Sequence, residues 1–402
     1  MGPASDPISL DPPAAPDLIA AELTFTRPAD VIADPGGRGS RRARTLDPQA
    51  AMDPRSYDRR ECRVLDCSRV EGFTADLREH GFAHADVSQL PGVQAACERA
   101  RIAGRIGETE AAQLRRALFG RSLQLSGGAR LRLLHIAREG FFMRRAGPNG
   151  MRIGGDRGQG MNGHDAAMTV HADQDVDGTP LRQLLRGLAP RLFHHDSPDH
   201  RNLRSRIFLV NLWIPLDQAT RPLALMDRRT LDRRAHQLRY GLPTDTFLRR
   251  RADMRVNDIW TFLHDDAQRW YFTSEMNAGT AYVFETLSTP HGAFILPGED
   301  RAEVRYRALM AAIAAVQRGD EPAASRALAA GPADDPTSEP VTASLRRAIA
   351  AMYGSIAEGR ENCSALCRGE DASRWCASAT KAADRVVRKS VEMRAVGLLS
   401  SG

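Results

Sequence analysis

Between residues 205 and 297 the chain carries a series of short apolar runs: SRIFLVNLWIPL (205–216), RPLALMD (221–227), RWYFTSEM (269–276), GTAYVFET (279–286) and HGAFILP (291–297). Each is closed by proline, glycine or a polar turn, as Pro215 closes the first. Segments of this length, rich in β-branched and aromatic residues and set at close spacing, read as strands of a sandwich or small barrel. Upstream, AELTFTR (21–27), CRVLDCS (62–68) and ARLRLLHIARE (129–139) add further strands. GFTADLREHGFAHADV contains a short helix ended by Gly81, and residues 93–119 have helical spacing.

The downstream pattern differs. AEVRYRALMAAIAAV (302–316) begins as a strand and runs into a helical repeat, and residues 342–359 and 371–396 continue with helical periodicity after the linker GPADDPTSEP. The fold class is therefore mainly β with flanking helices and an appended C-terminal helical segment. Three zones follow: residues 1–60, a partly disordered extension containing PGGRGSRRAR; residues 61–316, the β domain; and residues 317–402, a helical extension.

The net charge of +6 invites a nucleic-acid reading. Lys381 and Lys389 are the only lysines, however, and the arginines are scattered among acidic residues. That distribution fits a solubilising surface better than a phosphate-binding one. No apolar run reaches membrane-spanning length, and the N-terminus lacks a basic start and an apolar h-region, so a cytoplasmic protein without a membrane partner is expected. The six cysteines read as free thiols. Cys363 and Cys367 share a helix face, but no histidine follows His291 to complete a zinc site. The glycine-rich stretch 146–165 lacks the Gly-Lys-Ser/Thr ending of a phosphate loop and reads as a mobile loop beside a site.

The chemistry concentrates in TVHADQD (169–175). On a strand, positions i and i+2 face the same side, so His171 and Asp173 present an imidazole and a carboxylate together. With one more histidine they would make the facial triad of non-haem Fe(II) enzymes, which leaves coordination positions open. His291, at the start of a strand after a short turn, fits that role. His194 and His195 lie in a polar stretch, His264 among acidic residues, His80 and His84 beside a helix end, and His135 within a strand.

In order along the chain, DCSRVEGFTADLREHGF, VHADQD, RIFLVNLWIPL, PLALMD, WYFTSEM and STPHGAF resemble the Fe(II)/2-oxoglutarate-dependent oxygenases with a double-stranded β-helix core. More narrowly, the chain is similar to the hydroxylase/desaturase group of microbial natural-product biosynthesis, with relatives in cephamycin 7-methoxylation and fungal meroterpenoid pathways. The resemblance runs from about residue 62 to residue 310 and is most specific from Arg206 to Asp227.

The resemblance implies a jelly-roll-like core, with His171, Asp173 and His291 as catalytic iron ligands and 2-oxoglutarate and O2 as co-substrates. It implies an arginine on the last core strand that binds the distal carboxylate of 2-oxoglutarate, from among Arg301, Arg305 and Arg307. In the superfamily that arginine is often followed two places later by serine, where Arg301 is followed by Glu303. Arg206, Asn211 and Trp213 would line the site of a small-molecule substrate. Asp175 and Asp177 would be neighbours rather than ligands, and the C-terminal helices offer a homo-oligomer contact. Two other function classes remain: a β-helix binding or scaffold protein without catalysis, and a basic nucleic-acid-associated protein.

Overall fold

The computed structural model describes residues 18–33, 41–46, 53–138, 141–153, 161–162, 164–167, 169–174, 192–195, 201–217, 219–243, 256–329 and 339–401. Its strands are β1 (Leu18–Phe25), β2 (Val31–Ala33), β3 (Arg41–Ala43), β4 (Asp58–Asp66), β5 (Phe82–Asp86), β6 (Ser122–Gln124), β7 (Arg130–Ile136), β8 (Phe142–Ala146) and β9 (His171–Ala172). They continue with β10 (Ile207–Asp217), β11 (Leu223–Met226), β12 (Gln237–Pro243), β13 (Val256–Phe262), β14 (Trp270–Phe272), β15 (Thr280–Glu285), β16 (His291–Ala293) and β17 (Arg388–Ser400). The helices of five or more residues are α1 (Pro91–Ala103), α2 (Glu108–Leu118), α3 (Glu299–Gln317), α4 (Glu321–Leu328), α5 (Ala343–Glu361), α6 (Cys363–Cys367) and α7 (Ala372–Asp384).

Two sheets form. The larger runs β1-β4-β14-β11-β16-β9-β13-β12-β3-β2, and the smaller runs β5-β15-β10-β17-β7-β6, with β8 also pairing β17. Alternation along β10 explains how they stack. Phe208, Val210, Leu212 and Ile214 join Val93, Ala96 and Leu114 in a core beneath α1 and α2. On the opposite face Trp213 meets Tyr282 and Phe284 of the same sheet and Leu225 and Tyr271 of the larger one. The outer face of the larger sheet, with Trp270, Phe272 and Phe294, packs against α3, α5 and α7. The order is helices, sheet, sheet, helices, a two-sheet β core with flanking helices as the sequence implies.

Three expectations change. The segment after Phe73 makes turns before β5, where Asp76 Oδ1 accepts the backbone N–H of Arg78 and Glu79, and not a helix. Residues 299–317 are helical throughout: Ala-rich sequence after Tyr306 favours a helix, and Ala302, Leu309, Ala312, Ile313 and Val316 fill the core at helical spacing. The helical segment does not end the fold either. After α7 the chain re-enters the smaller sheet as β17, an interior strand between β10 and β7. Val391, Met393 and Ala395 of β17 complete the core under α1 and α2, leaving Ser390, Glu392 and Arg394 on the other face.

The N-terminal segment is also built into the sheet where it is described. β1 pairs with β4 over its whole length, and β3 pairs with β12. The remainder of the disorder expectation for residues 1–60, the linker 331–338, Asp175 and Asp177 lie outside the described residues, as does most of the glycine-rich loop. All six cysteines are free. No helix among the described residues is long and apolar enough to cross a membrane.

Candidate metal centre

β9 lies between β16 and β13, and His291 is the direct cross-strand partner of His171. Adjacent antiparallel strands therefore bring the two imidazoles together, with ring centroids 4.4 Å apart. Asp173, just past the end of β9, lies 3.6 Å from His171 Nε2 and 3.9 Å from His291 Nε2. One ligand atom from each residue lies within 4.8 Å of the others. The structure thus assembles the three residues that the sequence singled out.

Both rings are fixed in the same way. His171 Nδ1 is 2.8 Å from the Thr169 carbonyl, and His291 Nδ1 is 3.0 Å from that of Thr289. A carbonyl only accepts, so Nδ1 carries the proton and Nε2 keeps its lone pair for the centre. Burial, and then the neighbouring His171, push the His291 imidazole down to about 4, which keeps it neutral and ligand-ready. The turn before His291 is held by a close approach: Thr289 Oγ1 donates to the Gly81 carbonyl at 2.8 Å. Gly81 has φ +89°, and a Cβ there would lie 2.6 Å from Thr289 Oγ1. Only glycine fits that position.

Asp173 is buried, which by itself would raise its carboxyl. The Arg394 guanidinium, 3.5 Å away, together with the two histidines, holds it well below the usual carboxylate range. Asn211, fully buried on β10, donates its amide to Asp173 Oδ2 and, at 3.2 Å, to Glu392. Its carbonyl accepts from Thr286 Oγ1 at 3.0 Å. The smaller sheet thus orients the carboxylate that the larger sheet carries. Glu392 also takes Arg144 at 3.2 Å, which closes a network across β8, β10 and β17.

A cavity of about 350 Å³ opens onto His171 and Asp173. Its walls include Phe142, Ala167, Ile259 and Tyr240, and also Thr26, Arg27, Arg44 and Tyr57 from the N-terminal segment.

The other expected site residues separate. Trp213 is buried in the inter-sheet core against Tyr282, and Arg206 ties its Nε to the Leu399 carbonyl at 2.9 Å, so neither lines the cavity. The arginines expected on a last core strand stand on helix α3, and none lines the cavity. Arg301 pairs with Glu339 at 2.6 Å, Arg307 with Glu303 at 2.6 Å, and Arg305 is buried over the Tyr353 ring with a 2.6 Å bond to its hydroxyl. The last strand among the described residues is β17, in the smaller sheet and beyond all the helices. There Arg388 precedes Ser390 by two positions, the arginine-x-serine spacing that Arg301 lacks.

Arg388 is fully buried over the Trp213 ring. It donates to the Arg221 carbonyl at 2.7 Å and reaches Ser390 Oγ at 3.4 Å, and its Nε has no partner. Burial, and then Arg144 and Arg221 nearby, push its guanidinium down to about 9. No carboxylate among the described residues pairs with it within 4 Å. His194, set aside as a ligand, is a buried structural group that meets Glu285 at 3.0 Å and stacks on Phe208.

Among known proteins, the family model described as "Oxidoreductase/YMDC permease-like domain" matches residues 143–308, a span that holds His171, Asp173 and His291. No curated protein matches. A solved structure of the iron and alpha-ketoglutarate-dependent endoperoxidase NvfI is similar at 15% identity and a TM-score of 0.41, covering 95% of this chain and 98% of that one. A second NvfI structure, in a different conformation, is similar at 16% identity and a TM-score of 0.43, covering 96% and 99%.

Proposed function

We propose that the protein is a non-haem Fe(II)/2-oxoglutarate-dependent oxygenase that oxidises a C–H bond of a small molecule, a secondary metabolite, by hydroxylation or desaturation. The observation that carries this reading is the convergence of His171, Asp173 and His291, their ligand atoms within 4.8 Å of one another, with His171 and Asp173 at the wall of a cavity.

The donor set fits the metal. Two neutral imidazoles and one carboxylate suit Fe(II) and leave positions for co-substrates. Bound there, iron with 2-oxoglutarate and O2 would supply the oxidising power to break a C–H bond. The chain's own residues do the rest. The Thr169 and Thr289 carbonyls hold the Nδ1 protons away from the centre. Asn211 and Arg394 keep the Asp173 carboxylate ionised and aimed. Phe142, Ala167 and Ile259 give the cavity an apolar wall that limits water.

The distal carboxylate of 2-oxoglutarate is assigned in this reading to Arg388 with Ser390. A buried guanidinium without a carboxylate partner is costly, and a planar dicarboxylate terminus would relieve it by bidentate hydrogen bonding. Arg301, Arg305 and Arg307 are already engaged by Glu339, Tyr353 and Glu303. The test is turnover of 2-oxoglutarate to succinate by protein loaded with Fe(II) in air, with Zn(II)-loaded protein as control. Iron-dependent succinate supports the reading, and its absence alongside absent metal binding removes it.

A further inference from the structure

The cavity beside the metal centre is cationic in an uneven way. Four arginines line it: Arg27, Arg44, Arg144 and Arg394. Three are engaged by carboxylates, Arg27 by Asp30 at 2.8 Å, Arg144 by Glu392 at 3.2 Å and Arg394 by Asp173 at 3.5 Å. Arg44 is not. Its backbone N–H is anchored on the Asp30 carbonyl at 2.8 Å, while its exposed guanidinium meets no acceptor among the described residues.

Two phenols stand in the same wall. The Tyr240 hydroxyl accepts the Leu46 N–H at 3.4 Å, which leaves its proton free to be donated. The Tyr57 hydroxyl is engaged with Thr169, and burial, then Tyr240, raise its phenol above the ordinary value. Around these groups the wall is apolar, with Ala43, Leu46, Phe142 and Ile259. A guanidinium with an open hydrogen-bonding face, beside the Tyr240 hydroxyl and an apolar surface, selects for an anionic head on a hydrophobic body.

We propose that the substrate of this site is an amphipathic anion, a molecule bearing a carboxylate or phosphate that Arg44 binds while its apolar body lies against Leu46, Phe142 and Ile259. The inference rests on the proposed oxygenase reading, because it takes the cavity as that centre's substrate cavity. It makes the N-terminal segment a specificity element. Thr26, Arg27, Arg44 and Tyr57 supply the wall that decides which molecule reaches the metal. Arg44 acts by binding the substrate's head group at a distance from the reacting carbon, which fixes the part of the apolar body presented to His171 and Asp173.

The test uses the full-length, manganese-loaded protein and three probes of equal chain length: octanoate, octyl phosphate and octanamide. Isothermal titration should show at least one anion binding about tenfold more tightly than the neutral amide, the worth of a charge-assisted hydrogen-bond pair. The tighter anion identifies the head group. Arg44→Ala should bring that anion to within about twofold of octanamide, and Arg44→Lys should keep part of the preference. Arg326→Ala, which removes an exposed arginine on α4, should leave the preference intact.

The inference is overturned if neither anion is preferred over octanamide, or if Arg44→Ala keeps the preference while its circular dichroism melt matches wild type. Manganese binding, read separately by electron paramagnetic resonance, distinguishes the two failures. Retained manganese without anion preference removes the inference alone. Arg44-dependent anion preference without manganese binding removes the oxygenase reading instead.

Discussion

The Asn211 side chain donates to Asp173 from the facing sheet, so the carboxylate of the candidate metal centre is oriented by a residue on a strand that does not carry it. That hydrogen bond joins the two sheets at the point where the chemistry is expected. Asn211→Ala should therefore lower manganese affinity about 10- to 100-fold without unfolding the chain, the usual cost of removing a partner that orients a ligand. Asn211→Asp should do worse, because it sets a third carboxylate between Asp173 and Glu392. An unchanged manganese titration in Asn211→Ala would show that the contact is incidental.

The arginines of α3 and β17 should respond in opposite ways. Arg388→Lys and Arg388→Gln should raise the 2-oxoglutarate concentration needed for half-maximal succinate formation by at least about tenfold, because a bidentate partner is lost. Arg301→Ala and Arg307→Ala remove surface ion pairs and should change stability by less than about 1 kcal/mol, with no effect on 2-oxoglutarate. Steady-state kinetics across the set decides between β17 and α3.

Acid should destabilise the metal-free protein in a defined window. His291 and His84 are both held down to about 4 by burial, whereas an unfolded histidine titrates near 6.5. Between those values the unfolded chain takes up protons that the folded chain refuses, so stability is present above about 6.5 and is lost as pH falls toward 4. Urea unfolding at pH 7 and pH 5 measures the slope, and His291→Asn should reduce it by the contribution of one proton.

Gly81→Ala tests the turn that delivers His291. The added methyl must displace Thr289, whose carbonyl fixes the His291 ring, and the backbone at φ +89° is strained for alanine. Loss of about 1–3 kcal/mol of stability together with weaker manganese binding is expected. Loss of stability with unchanged metal affinity would separate the turn from the centre.

The candidate ligand residues were legible because their geometry is local. His171 and Asp173 are two apart at a strand, and His291 follows a turn that opens the neighbouring strand, so alternation alone aims them together. Arg301, Arg305 and Arg307 read as strand residues because their odd-numbered spacing mimics a strand. The alanine-rich run after Tyr306 and the core contacts of Leu309 and Ile313 make that segment a helix. β17 was hidden for the converse reason. Residues 388–395 follow a helix without glycine or proline between, and Lys, Glu, Met, Arg and Ala carry no strand propensity. Pairing with β10 and β7 decides their state, a long-range effect outside any local window.

One signal was nevertheless present. Ser390, Glu392 and Arg394 alternate with Val391, Met393 and Ala395, and Arg388 stands two places before Ser390. The cavity wall built by Arg44 and Tyr57 left no such trace, because it depends on β3 pairing with β12.

The central claim is tested most directly by metal titration of the full-length protein and its His171→Ala, Asp173→Ala and His291→Ala variants. Wild type should bind one equivalent of Fe(II) or Mn(II) and form succinate from 2-oxoglutarate with iron in air. Each variant should lose both while keeping its fold. Binding of wild type no tighter than that of all three variants, with no succinate formed, would contradict the account.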